Sequence, residues 1–63
     1  MGEDYFGNFK DAVTSARKYI SNSLERVSKP EQYRDWAAAR DELIKVKRSI
    51  QFAIDLCNRA KSS

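Results

Sequence analysis

SKPEQY, Ser28 to Tyr33, is the one stretch of this chain where a helical pattern is broken and a second begins. A proline in a helix interior costs about 3 kcal/mol, so the helix ahead of Pro30 has to end by about Val27. The same proline fits the first turn of a new helix, where its missing N–H has no bond to lose. Ser28 and Glu31, three residues apart, read as a capping box that opens that helix. The spacing therefore predicts a first helix over about 4–27, a turn at about 28–30 and a second helix over about 30–60.

Both arms carry helical periodicity. Before the turn, Phe6, Phe9, Val13, Ala16, Ile20, Leu24 and Val27 recur at steps of three and four along one side of a helix. Ser21, Asn22 and Ser23 form helices poorly, so the last turns of this arm depend on packing. Gly2 to Asn8 holds both glycines and the acidic pair Glu3 and Asp4, and is expected to fray. After the turn, Ala39, Leu43, Val46, Ile50, Ala53, Cys57 and Ala60 form an uninterrupted heptad-like stripe. Asp41 with Lys45, and Asp55 with Arg59, are acid-before-base pairs at four-residue spacing.

Two long helices joined by a short connection pack as antiparallel neighbours. The fold class expected is all-α, an antiparallel two-helix hairpin in a single domain. Its core is expected to set Phe9, Val13, Ala16, Ile20 and Leu24 against Trp36, Leu43, Val46, Ile50 and Ile54. Cys57, on the same stripe, reads as a small buried apolar residue. Helix 2 carries more apolar surface than one opposing helix covers, since Tyr33, Ala37, Ile44, Phe52 and Leu56 lie off the stripe. Such a surplus marks an interaction site.

Candidate partner-binding residues are therefore Tyr33, Trp36, Ile44, Phe52 and Leu56. Phe52, two positions beyond Ile50, is either a partner contact or a half-exposed aromatic. Ile44, Leu56 and Ala37 would join it in a second ridge for helix-in-groove binding. Tyr33 and Trp36 have a plainer reading, a hydrophobic plug that closes the bend, and it is preferred over a binding hot spot.

Sixty-three residues build only a small domain, in which burying enough apolar surface is difficult. One cysteine allows no internal disulfide, and the lack of histidine removes the usual metal clusters. The remaining source of stabilisation is another chain. Asp41 and Glu42 point to different sides of the helix, which argues against an acid–base carboxylate pair. With no histidine and no glycine-rich loop, nothing activates a nucleophile or cradles a phosphate, so the residues point to a non-enzyme without cofactor. No segment reads as a signal peptide or a membrane span, and the chain is expected to stay in the cytosol.

The net charge of +3 is mild for a nucleic-acid binder. It is uneven, however: Lys45, Lys47, Arg48, Arg59 and Lys61 against Asp55 leave the second half of helix 2 locally basic. One reading is a solvated face that suits the negative end of its helix. The other is a homodimeric four-helix bundle of the small regulatory type that binds RNA or DNA through this face.

The run Pro30, Glu31, Gln32 and Tyr33, entering a long helix with apolar residues at Trp36 and Leu43, resembles the YscE-type co-chaperones of type III secretion systems. The resemblance covers roughly Arg17 to Cys57, while the aromatic start at Tyr5, Phe6 and Phe9 and the tryptophan itself have no counterpart in the pattern. It implies a cytosolic helical hairpin bent at this place. It also implies a partner, a larger tetratricopeptide-like chaperone, with which such a protein keeps the needle-forming subunit soluble and monomeric before export. Little or no contact with the needle subunit itself is implied.

Overall fold

The computed structural model describes residues 4–62 and consists of α1 (Tyr5–Val27), a short 3-10 turn (Glu31–Tyr33) and α2 (Trp36–Ser62). The two helices pack against each other as an antiparallel hairpin, as the periodicity predicts. Asp4 caps α1: its Oδ1 accepts from the Gly7 N–H at 2.9 Å. Helix therefore begins within the stretch expected to fray, and Gly2 and Glu3 lie outside the described residues.

α1 ends at Val27, where Pro30 requires it to. The capping box does not form. Ser28 closes α1 instead, its N–H and its Oγ both donating to the Leu24 carbonyl, at 2.9 and 2.7 Å. Pro30 is extended, with φ −53° and ψ 148°, and precedes the single 3-10 turn rather than sitting inside an α-helical one. Arg34 is extended as well, with its Nε donating to the Lys29 carbonyl at 2.9 Å. The cap of α2 is Asp35, whose Oδ1 accepts from the Ala38 N–H at 3.0 Å. Asp35 also donates its own N–H to the Arg26 carbonyl at 3.1 Å, which ties the start of α2 to the end of α1. The second helix thus starts at Trp36, later than the proline suggests, because Ser28 is used to close α1 while Asp35 both caps α2 and bonds to α1.

The seam between the helices is made of small side chains. Ala12, Ala16 and Ser23 of α1 and Ala39 and Ala53 of α2 are buried, with Leu56 and Glu42 beside them. Ser23 satisfies its hydroxyl within its own helix, donating to the Ile20 carbonyl at 2.7 Å. On α2 the inward positions are Ala39, Glu42, Val46, Ser49, Ala53 and Leu56, all buried or half-buried. The expected stripe shared Ala39, Val46 and Ala53 but placed Leu43, Ile50 and Cys57 inside. They are exposed: α2 is turned by about one residue relative to that stripe.

The reason is steric. A seam of alanine and serine brings the backbones close, and the space between them does not admit branched side chains from both edges. Most of the expected core is displaced outward as a result. Ile20, Leu24, Trp36, Leu43 and Ile54 are exposed, whereas Ala16 is 1% exposed.

Candidate protein-binding face

The displaced side chains come together on one face of the hairpin. Phe6, Val13, Ile20 and Val27 are seven apart on α1, and Trp36, Leu43, Ile50 and Cys57 are seven apart on α2. Each set runs as a line alongside the seam. The two lines lie on the same side, because Ile20, Leu24 and Val27 line one hollow together with Trp36 and Leu43. At the open end of the hairpin a second hollow is lined by Phe6 and Phe9 with Leu56, Cys57 and Ala60. The hollows have volumes of about 480 and 280 Å³. Phe6 is 74% exposed, Leu24 and Trp36 65% each.

The five candidate residues do not form a single ridge. Trp36 lies on the apolar face. Tyr33 is exposed in the 3-10 turn, so neither residue closes the bend as a plug. Ile44 is on the back of α2 and Phe52 at the other edge of the seam, both exposed. Leu56 is the largest fully buried side chain, at 1% exposure, and is held within the hairpin. Leu24 and Leu43 near Trp36, and Phe6 at the open end, which sequence reasoning assigned to the stripes, are residues that face outward on this side. Their heptad spacing was visible, but periodicity alone does not say which neighbouring line turns inward.

The other side of the seam, Phe52 apart, carries a polar cluster. Glu42 is buried, and its Oε1 accepts from Lys45 Nζ at 3.3 Å. Lys45 in turn lies over the Tyr19 ring, 5.5 Å from its centroid. Oε2 of Glu42 is shielded from solvent with no donor in good hydrogen-bonding geometry. The carboxyl is nonetheless held below its ordinary value, first by the Asn22 carboxamide across the seam and then by Lys45 and Arg26. These outweigh the desolvation that pushes it the other way, as suits a thin hairpin with few atoms over the carboxylate.

Among the described residues no group of three histidine, cysteine, aspartate or glutamate side chains could hold a metal ion, and no helix is long and apolar enough to cross a membrane. Compared with known proteins, the chain matches no family model, no curated protein and no solved structure.

Proposed function

We propose that this chain is a small binding subunit, a co-chaperone whose apolar face is covered by a larger tetratricopeptide-like chaperone, the pair keeping a type III secretion needle subunit soluble and monomeric before export. The observation that carries this reading is the outward turn of Phe6, Ile20, Leu24, Trp36, Leu43 and Ile50 along one side of a small-residue seam. A hairpin arranged this way spends its alanines on its own fold and leaves its large side chains for another chain. The resemblance of Pro30 to Tyr33 to the YscE-type turn supplies the class of partner.

Co-expression with the helical-repeat chaperone of such a system tests it. Wild type and an Ile44→Asp control on the back of α2 should co-purify with the repeat protein. A Leu24→Asp/Leu43→Asp variant should not, while keeping its helical circular dichroism. Recovery of that variant at wild-type yield would contradict the reading.

A further inference from the structure

Among the described residues of the two helices, the charges that border the apolar face are all of one sign. On α1, Lys10 and Arg17 continue the outer line that ends in Leu24; on α2, Arg40, Lys47 and Lys61 share the outer line of Ile54, seven residues apart in each case. All five basic residues are exposed. The helical carboxylates are elsewhere: Asp11 and Glu25 on the back of α1, Asp41 and Asp55 on the back of α2, Glu42 in the seam. Among the described residues only Arg40 of the five has an ion pair, with the adjacent Asp41 at 3.5 Å.

We infer that the chain seated on this face is a different protein, whose apolar surface is bordered by carboxylates, and not a second copy of this hairpin. This rests on the reading above that another protein covers the face. Residues flanking a hydrophobic seam select its partner, through attraction where signs differ and repulsion where they agree. In a face-to-face pair of identical hairpins, whichever way the second copy is turned, each basic border meets a basic border. An anionic lipid surface would also attract these charges. The two hollows, about 480 Å³ near the turn and about 280 Å³ at the open end, favour a protein instead, since they fit protruding side chains at fixed positions and fluid acyl chains present none.

The test uses a copy of the chain as a surrogate acid-bordered partner, with Lys10→Glu, Arg17→Glu, Arg40→Glu, Lys47→Glu and Lys61→Glu together, its helicity checked by circular dichroism. Sedimentation velocity is run on each protein alone and on the equimolar mixture, at about 50 and about 500 mM salt. The mixture should associate roughly one to three orders of magnitude more tightly than wild type with itself at low salt, from five opposed surface pairs, and the gap should narrow at high salt. Should the acidic copy fail to fold, a copy with glutamine at the same five positions is expected to self-associate more tightly than wild type. Equal affinity of wild type for itself and for the acidic copy, no association in the mixture, or glutamine-copy self-association no tighter than wild type overturns the inference. So does partitioning of wild type onto vesicles of equal parts phosphatidylcholine and phosphatidylglycerol without association in the mixture.

Adding Leu24→Asp/Leu43→Asp to the wild-type partner separates the two levels. If the mixed complex survives that change, the apolar face is not the contact and the functional reading fails with the inference. If the double change abolishes association but border charge has no effect on it, the inference alone fails.

Discussion

Glu42 occupies a place that the heptad would give to an apolar side chain, and its ionised form is stabilised there by Asn22, Lys45 and Arg26. A carboxyl whose folded pKa lies below its ordinary value contributes stability that is complete above that value and is lost as pH falls through the folded one. The melting temperature should therefore hold above the ordinary pKa of 4.5 and fall as the pH is taken below it. Glu42→Gln should remove part of that dependence, since the amide has no proton to gain. Thermal melts by circular dichroism across acidic pH check this; identical profiles for the two proteins would mean that the carboxylate is not held in its charged form by the fold. The same residue explains why the inward line of α2 was hard to read. A glutamate among alanines argues against burial on residue type, and the facing Asn22, the neighbouring Lys45 and Arg26 make it tolerable.

At the scale of the elements, the hairpin is defined by what ends α1 and what begins α2. Asp35 both caps α2 and bonds to Arg26 of α1, so Asp35→Ala should cost about 1 kcal/mol. Ser28→Ala should cost less than about 0.5 kcal/mol, because the Ser28 N–H still satisfies the Leu24 carbonyl once the hydroxyl is gone. Urea denaturation of the two variants gives the order, and a larger loss at Ser28 would restore the capping box that the sequence suggested. The end of α1 was legible because proline excludes helix in the residue before it whatever the tertiary context. The start of α2 was not, since Ser28 with Glu31 and Asp35 before an alanine run are both good local caps. The choice between them was made by the bond from Asp35 to α1, a contact that pattern does not contain.

The whole molecule is long and thin, 52 × 14 × 13 Å, with a radius of gyration of 15.0 Å where a compact chain of this length would have about 10.6 Å. Its accessible surface is 5132 Å², against about 4,200 Å² for a typical folded protein of its mass. The excess is close to the roughly 800 Å² that each partner loses in a standard protein interface. Two helices and a wide apolar arc were readable in the sequence from its three-and-four periodicity, and their antiparallel direction from the short connection. Which part of the arc turned inward was not: lines one residue apart, Ala39 to Glu42 and Ala39 to Leu43, fit the same three-and-four spacing. The close packing of alanines on both helices decided it. Most of the large apolar side chains, Leu56 excepted, lie outside the fold, and the small ones hold it together. Urea denaturation of the isolated chain, followed by circular dichroism, compares Leu24→Asp/Leu43→Asp with Ala53→Leu. The outward pair should change stability by less than about 1 kcal/mol, and the seam substitution, which overpacks the contact, should cost about 1–3 kcal/mol. Loss of the helices in the Leu24→Asp/Leu43→Asp variant, with Ala53→Leu as stable as wild type, would contradict the account.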